Sequence, residues 1–401
     1  MPYDLTPDAL QAVDAARAFA PEAARRAAAA EAARAPDPGL IPAAAEAGLT
    51  GMQIPRDLGG AGLPFAARAA VAEALAGACY GVAMAVVNTH NCALRLARLA
   101  PRDMAERLVP ALVRGTLVGC TAMTEPAAGS DFAALETTAR RDARDGLAAP
   151  DAPWRLDGAK AWIVNARLAD LAVVFAQTGA VGDGKGIAGF LVETARPGAA
   201  RTARGMGALQ AMGLGGLALD GYAAPPEALL LPPGPGFRRA MEEINPARVH
   251  VAAMACGLLR AALDAARAHG AHRRSFGRPL AEHQGWRWIP AQAEADLFAA
   301  RLAVAEAARL IDAGDAADAE PDAGAAARDH AAQTQLAAAS AKIVATEAAA
   351  RHVPALVHAL GAEGLAEDAP LARHLVAVRA ARLADGSTEM LLERIARLAA
   401  P

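Results

Sequence analysis

Residues 121–131 read T-A-M-T-E-P-A-A-G-S-D, and they mark the place where the residue pattern changes from one typical of helices to one typical of strands. By residue type alone this segment is a loop. Pro126 fixes one backbone dihedral, and Ser130 or Asp131 is suited to cap a helix. The segment therefore opens the strand-rich part of the chain.

Strand-like runs follow this loop. Residues 154–156, 171–176 and 187–192 are short apolar runs bounded by Gly, Asp or Pro, a pattern typical of β-strands. Because few of these runs are separated by a segment as long as a helix, a parallel Rossmann sheet is disfavoured. We predict a small antiparallel sheet or barrel.

Helical periodicity lies on both sides of the strand-rich part. It covers residues 7–117, broken by loop-like stretches at 36–39 and 57–62, and resumes after the Pro- and Gly-rich residues 232–236. Residues 312–329 are rich in Ala, Asp and Gly, and we expect an exposed connection between two long helices there.

The length of 401 residues is too great for a single core, since cores stop growing near roughly 250 to 300 residues. The order helical, stranded, helical predicts an α+β chain of three domains. These are an N-terminal helical domain (1–119), a middle antiparallel β-domain (120–232) and a C-terminal helical bundle (233–401).

Composition and charge exclude several functions. The formal net charge of −3 leaves no basic surplus for a phosphate backbone, so nucleic-acid binding is not expected. Residues 1–20 lack the basic start and apolar stretch of a signal peptide, and charged residues interrupt every long apolar run, so we expect no membrane span and a cytoplasmic location. Four cysteines without metal-ligand spacing predict neither a metal site nor disulfides: Cys79, Cys92, Cys120 and Cys256.

Three segments together resemble one family. Residues 121–131 match the T-E-P-x-A-G-S-D signature of acyl-CoA dehydrogenases, and residues 157–165 (D-G-A-K-A-W-I-V-N) resemble the family's G-x-K-x-W-I-x-N. Residues 274–284 resemble its F-G-x-x-L-x-x-x-Q element. The resemblance implies a C-terminal four-helix bundle, an FAD cofactor, an acyl-CoA substrate from fatty acid metabolism, and an electron-transfer flavoprotein as acceptor. It also implies a homo-oligomer, usually a dimer of dimers.

The resemblance also implies roles for individual residues. Trp162 packs beside the flavin ring, and Arg273 and Phe276 reach across a subunit interface to a neighbour's FAD. Arg273, Arg274 and Arg278 equally fit a solvated basic face. Substrate contacts are implied for Ser130, Arg248 and His90; a lone His near a helix end is more often structural. The full set of implied cofactor contacts is Met123, Thr124, Gly129, Ser130, Trp162, Val164, Arg273, Phe276, Gln284, His358, Gly361, Ser387 and Glu389.

A general base is implied near the C-terminus. Ungapped alignment places Asp385 on the family's catalytic Glu, with a side chain roughly 1.3 to 1.5 Å shorter. A plain turn or cap is the alternative reading of Asp385, and Glu389 is the second candidate for the base. Some branches place the base on another helix, where this chain has Ala247, which cannot accept a proton.

Three departures from the family pattern leave other functions open. Val164 stands where the family usually has a hydroxyl that donates to the flavin, and residues 358–362 keep only one glycine of a Q-x-x-G-G element. Residues 211–216 replace a substrate-binding segment. A divergent flavoenzyme is therefore the alternative: an oxidase, an enzyme for carrier-protein substrates, or a redox-neutral eliminase. A catalytically silent scaffold is the third reading.

Overall fold

The computed structural model describes residues 3–142, 152–234, 241–317, 324–366 and 369–399. The chain forms two compact units. One, the bundle unit, comprises Met1–Ala28, Leu63–Ala83 and Ile244–Pro401; the other, the sheet unit, comprises Ala29–Gly62 and Met84–Glu243.

The sheet unit is organised around eight strands. They are β1 (Gly119–Ala122), β2 (Thr138–Arg141), β3 (Trp154–Ile163), β4 (Leu171–Gln177), β5 (Ile187–Glu193), β6 (Ala199–Ala203), β7 (Gly215–Ala224) and β8 (Leu229–Leu231). The order in the sheet is β6-β7-β3-β2-β4-β5-β8, with β1 paired to β4. Most pairings are antiparallel, but β4 runs parallel to both β1 and β2, so the sheet is mixed where an antiparallel one was predicted.

The core of the sheet unit lies under β4 and β5. Both strands are almost continuously buried and apolar, as expected for strands covered on two faces. On β7, a Cβ at Gly216 would lie 2.2 Å from the carbonyl oxygen of Lys160, so the glycine allows β7 to approach β3 closely. The strand β3 is thereby held in the register that presents Lys160 and Trp162.

Helices form the rest of the chain. Those before the sheet are α1 (Pro7–Ala33), α2 (Leu40–Glu46), α3 (Phe65–Ala78), α4 (Tyr80–Leu99) and α5 (Arg102–Val113). Those after it are α6 (Ile244–His272), α7 (Gln284–Ala317), α8 (Gly324–Ala359), α9 (Leu371–Leu383) and α10 (Thr388–Ala399), with a two-residue hairpin of β9 (Arg274–Ser275) and β10 (Arg278–Pro279) between α6 and α7.

The bundle unit packs α6, α7, α8 and α9 together, with α3 against α6 and α10 against α8. A Cβ at Gly257 on α6 would lie 2.1 Å from the carbonyl oxygen of Glu73 on α3, so this glycine allows the two helices to touch. The helix α6 is long and apolar enough to cross a membrane, but 78% of its most apolar window is buried within the protein. It is the core helix of the bundle.

The strands predicted at 154–156, 171–176 and 187–192 are confirmed within β3, β4 and β5. The predicted connection at 312–329 is too long. The helix α7 continues to Ala317 and α8 begins at Gly324, while residues 318–323 lie outside the described residues.

Asp312 lies within α7 and bonds to a segment far away in the sequence. Its carboxylate accepts hydrogen bonds from the backbone N–H groups of Phe65 (2.6 Å) and Ala66 (3.0 Å). These donors are orphan groups at the start of α3. The residue type predicted a loop because the partner that it caps cannot be read from the local sequence.

Candidate active site

The segment 121–131, termed the signature loop, is held by a buried carboxylate. Glu125 accepts hydrogen bonds from the backbone N–H groups of Glu136 (2.6 Å) and Thr137 (3.0 Å) and from Lys160 Nζ (2.6 Å). Glu125 therefore shapes the loop from inside and does not face solvent.

Lys160 and Glu125 form a buried ion pair, with side-chain exposures of 0% and 4%. Burial lowers the pKa of Lys160 to about 8, although the carboxylate opposes this change. Burial alone would raise the pKa of Glu125, but Lys160 and the two backbone donors bring it below its ordinary value. The pair is therefore ionised at neutral pH.

The same stretch of β3 is bonded to the signature loop at two further points. Lys160 Nζ donates to the carbonyl oxygen of Met123 (3.2 Å), and the Ala161 N–H donates to the carbonyl oxygen of Thr124 (2.9 Å). These bonds bring the predicted cofactor contacts Met123, Thr124 and Trp162 together. Gly129 and Ser130, also predicted contacts, lie exposed further along the loop.

Trp162 is held in an uncommon conformation. Its φ is +59°, in the left-handed region that costs an aromatic residue about 1 to 3 kcal/mol, and 46% of its surface is exposed. Its ring lies 4.4 Å from the guanidinium carbon of Arg204. A strained and exposed indole is not the ordinary buried aromatic residue that the side chain alone would predict.

Asn165 anchors the end of this segment. It also has a left-handed φ of +66°, and its buried side-chain amide donates to the carbonyl oxygens of Ala85 (2.8 Å) and Gly119 (3.1 Å) and to the Thr89 hydroxyl (3.1 Å). Val164 lies between Trp162 and Asn165 and is 9% exposed. The bonds of Asn165 therefore fix the positions of Val164 and Trp162, which precede it in the chain.

In the bundle unit, Asp385 lies in a loop after α9. We term residues 382–388 the base loop. Asp385 is half-buried and has a left-handed φ of +54°, and Gly386 follows with a φ of +106°. Asp tolerates this conformation better than most residues because its short polar side chain bonds locally.

Side chains from α6 and α8 hold the base loop. Arg248 Nε donates to the carbonyl oxygen of Asp385 (3.2 Å), and Lys342 Nζ donates to the carbonyl oxygens of Gly386 and Arg382 (3.4 Å for Arg382). Arg248 is itself bonded to the Asn245 side chain (3.0 Å). The structure thus brings together Arg248 and Asp385, which the sequence predicted as substrate contact and base.

Glu347 on α8 ties the two ends of the base loop. One of its carboxylate oxygens accepts hydrogen bonds from Arg382 Nε and from the Thr388 hydroxyl, each at 2.9 Å.

The second candidate for the base, Glu389, is exposed. Hydrogen bonding to its own backbone N–H and to Ser387 lowers its pKa. This environment is less suited to a base than that of Asp385.

Other predicted contacts lie on the surface of the bundle unit. Phe276 is 95% exposed, with a left-handed φ of +48°, at the tip of the β9–β10 hairpin. Arg273 and Gln284 are exposed at the two sides of this hairpin, and His358 and Gly361 are exposed around the end of α8. Among the residues that the structure describes, no hydrogen bond or ion pair joins these groups to one another within the subunit.

His90 occupies a structural position. It is 1% exposed, and its Nε2 accepts a hydrogen bond from the backbone N–H of Gln53 (3.0 Å). An imidazole that accepts from the main chain at this position is neutral and holds a loop. Its predicted contact with substrate stays a prediction.

Comparison with known protein families matches almost the whole chain. Residues 6–116, 120–220 and 234–400 match the N-terminal, middle and C-terminal domains of acyl-CoA dehydrogenase, respectively. The chain belongs to the acyl-CoA dehydrogenase family. The predicted order of a helical N-terminal domain, a middle β-domain and a C-terminal helical bundle is confirmed.

Relatives agree with this assignment. The mitochondrial short-chain specific acyl-CoA dehydrogenase of Bos taurus is 32% identical over 349 residues, which are 86% of this chain and 78% of the relative. Benzylmalonyl-CoA dehydrogenase of Aromatoleum aromaticum is 32% identical over 402 residues, 99% of each protein. The solved glutaryl-CoA dehydrogenase of Mycobacterium smegmatis, in complex with FADH2, has a TM-score of 0.83 and 25% identity, with 98% of this chain and 94% of that chain covered.

This acyl-CoA dehydrogenase family member is an FAD-dependent oxidoreductase. Its own residues fit the cofactor. The strained Trp162 is partly exposed, and the signature loop beside it leaves Gly129 and Ser130 open to a ligand. A flat ring and a loop of small residues and backbone groups are what a flavin ring and its polar edge require.

Sequence reasoning missed the groups that hold the two loops, namely Lys160, Lys342 and Glu347. A signal for the first two was present in the composition. Only three of the 40 Lys and Arg residues are lysines, and two of these three, Lys160 and Lys342, are buried. Where Arg is otherwise preferred so strongly, a retained Lys indicates a site that needs a compact point charge.

Proposed function

We propose that the enzyme desaturates an acyl-CoA thioester between its α and β carbons, with Asp385 as the general base. The observation that carries this proposal is the arrangement around Asp385. Its half-buried carboxylate lies in a loop whose carbonyl groups are held by Arg248 and Lys342. A general base must be held within reach of the proton that it accepts, and these bonds fix the position of the loop that carries Asp385.

The chemistry follows from the groups present. Asp385 accepts the α-proton, and the electron pair of the broken C–H bond forms the new double bond while the β-hydrogen leaves with its own electron pair. FAD, when bound, supplies the oxidant for that hydrogen. Burial lowers the pKa of Arg248, and the charge of Asp385 opposes this change, which supports a charged pair at the site.

The proposed cofactor contacts lie mostly in the sheet unit. Met123, Thr124, Gly129 and Ser130 hold the cofactor's polar edge, and Trp162 lies against its ring. Support comes from the bonds that tie β3 to the signature loop. We further propose that the electrons leave to an electron-transfer flavoprotein, as expected for the family.

We propose that the working enzyme is a homo-oligomer. Phe276 supports this proposal, because an aromatic side chain that is 95% exposed at the tip of a hairpin has almost no packing within its own subunit. With Arg273 and Gln284 it would complete the FAD site of another copy. His358 and Gly361 are proposed as further contacts of the same kind.

The test uses the purified holoenzyme and a panel of acyl-CoAs under anaerobic conditions. We expect at least one thioester to bleach the visible absorption of the flavin. Asp385→Asn keeps the left-handed backbone, since Asn tolerates positive φ, and removes the base. We expect it to bind FAD normally and to slow bleaching by about 100- to 10,000-fold.

Glu393→Gln, at an exposed carboxylate on α10, is the matched control, and we expect it to bleach at nearly the parent rate. Glu389→Gln tests the second candidate for the base. A parent protein bleached by no thioester would contradict the desaturase proposal. Normal bleaching by Asp385→Asn together with a large loss in Glu389→Gln would transfer the role of base to Glu389. Oxygen uptake without an acceptor protein would indicate an oxidase.

A further inference from the structure

Lys342 is a buried lysine whose hydrogen bonds go to the main chain. It is 1% exposed on α8, and its Nζ donates to the carbonyl oxygens of Arg382 and Gly386. Lysine side chains are almost never fully buried unless the surrounding structure uses their charge. The two acceptors of Lys342 lie on either side of Asp385.

The two bonds have distinct effects on the base loop. Arg382 lies in the last turn of α9, where carbonyl groups lack helical partners and a cation is favoured. Gly386 directly follows Asp385. A single ammonium group therefore bridges the end of the helix and the residue beyond the base, and it spans the turn in which Asp385 has its left-handed φ.

Charged side chains on three elements act on Lys342. Asp385 in the base loop and Glu389 at the start of α10 favour the charged form of Lys342, and Arg248 on α6 opposes it. Burial is the largest effect and lowers the pKa of Lys342 to about 8. Tyr80 at the start of α4 also faces Asp385, and burial followed by the charge of Asp385 raises its pKa.

We propose that Lys342 is a positioning residue for the base: its ammonium group bridges the Arg382 and Gly386 carbonyls and thereby sets the reach of the Asp385 carboxylate. This inference rests on the proposed function of Asp385. The shorter side chain of Asp makes loop placement decisive, because a displacement of about 1 Å can cost about 100-fold in rate.

The decisive variants are Lys342→Met, which removes the donors, and Lys342→Gln, which keeps donors and removes the charge. Lys185→Met is the matched control, since Lys185 is exposed in the sheet unit. With a thioester that bleaches the parent, we expect Lys342→Met to lower kcat about 10- to 100-fold with little change in KM or FAD content. We expect Lys342→Gln to be affected less and Lys185→Met to match the parent.

A second measurement needs no turnover. Hydrogen exchange of the peptide that contains residues 382–388, followed by mass spectrometry, should be at least tenfold faster in Lys342→Met than in the parent and in Lys185→Met. The exchange result tests Lys342 even if no thioester bleaches the parent, so failure of this inference and failure of the proposed function are distinguishable.

The parent protein offers a third test, which serves if Lys342→Met does not fold. Between pH 7 and 9.5 we expect kcat to fall with an apparent pKa near 8, and the fall to move above pH 9 in Lys342→Arg. Lys160 also has a pKa of about 8, so the transition is assigned by its movement in Lys342→Arg, which leaves Lys160 unchanged. Unchanged kcat and unchanged exchange in Lys342→Met, or a parent profile that is flat to pH 9.5, would overturn the proposal.

Discussion

Lys160 in the sheet unit and Lys342 in the bundle unit perform similar work with different partners. Both are buried, both have a pKa lowered to about 8 by burial, and each donates to main-chain carbonyls of a loop that carries predicted site residues. Lys160 also lies 2.6 Å from the carboxylate of Glu125. Lys342 donates to carbonyl oxygens, and the nearby carboxylates act on it through charge.

The partner decides how each loop responds to substitution. Removing Glu125 leaves the ammonium of Lys160 as an uncompensated buried charge, which costs much stability. The acceptors of Lys342 belong to the main chain, so its bonds are lost only when the lysine itself is replaced. The signature loop is therefore sensitive to substitution at Glu125 and at Lys160, and the base loop to substitution at Lys342.

The largest effect is expected from Glu125→Gln, which leaves Lys160 buried without its counter-charge. We expect a loss of about 3 to 5 kcal/mol in the free energy of unfolding, together with loss of FAD. Denaturant unfolding and flavin content measure both. Glu136→Gln is the control, because Glu136 is exposed and contributes its backbone N–H to the signature loop. Full FAD content and unchanged stability in Glu125→Gln would break the comparison.

His374 on α9 should give the bundle unit a second pH sensitivity. Burial, assisted by the charge of Arg373, lowers its pKa to about 4 from 6.5. The unfolded chain therefore binds a proton that the folded chain does not between pH 6.5 and 4, and stability falls as the pH falls through this window. The loss should be on the order of 3 kcal/mol, at about 1.4 kcal/mol per pH unit.

Chemical denaturation at several pH values measures this effect. His374→Gln, which cannot take up the proton, should flatten the curve between pH 6.5 and 4. An equally steep curve in this variant would show that other groups cause the acid sensitivity of the protein.

Val164→Thr tests whether the missing hydroxyl at position 164 of the sheet unit affects the flavin. The variant restores the hydroxyl that the family usually carries there, and one hydrogen bond contributes about 0.5 to 1.5 kcal/mol. We expect anaerobic flavin bleaching to become about 2- to 10-fold faster, or the flavin reduction potential to rise. If neither the bleaching rate nor the reduction potential changed, a hydroxyl at position 164 would have no role at the flavin of this protein.

The smallest effect is expected from Glu347→Gln, which weakens the ties to Arg382 and Thr388. Since Arg382 and Glu347 are 30% and 33% exposed, the loss of stability should be about 0.2 to 1 kcal/mol and should shrink in high salt. Glu393→Gln on α10, which removes a more exposed pair with Arg397, is the control. A loss far above 1 kcal/mol would make Glu347, and not Lys342, the main support of the base loop.

Much of the fold was predictable from local patterns. The strands β3, β4 and β5 followed from short apolar runs bounded by turn residues, and the helical flanks followed from their periodicity. The extent of α7 was not, because the Asp residue at 312, which suggested a loop, instead accepts hydrogen bonds from two backbone donors at the start of α3. Local residue type cannot show a partner that lies far along the chain.

For the active site, contiguous motifs such as residues 121–131 were enough to predict the family and the FAD cofactor, because their chemistry is read from residue type. How the site is held depends on contacts between segments that are distant in the sequence. Glu125 meets Lys160, Lys342 meets Arg382 and Gly386, and Trp162 is fixed at a positive φ. Burial requires hydrogen-bonding partners for Glu125, Lys160 and Lys342, and burial is a property of the packed chain, not of any one segment.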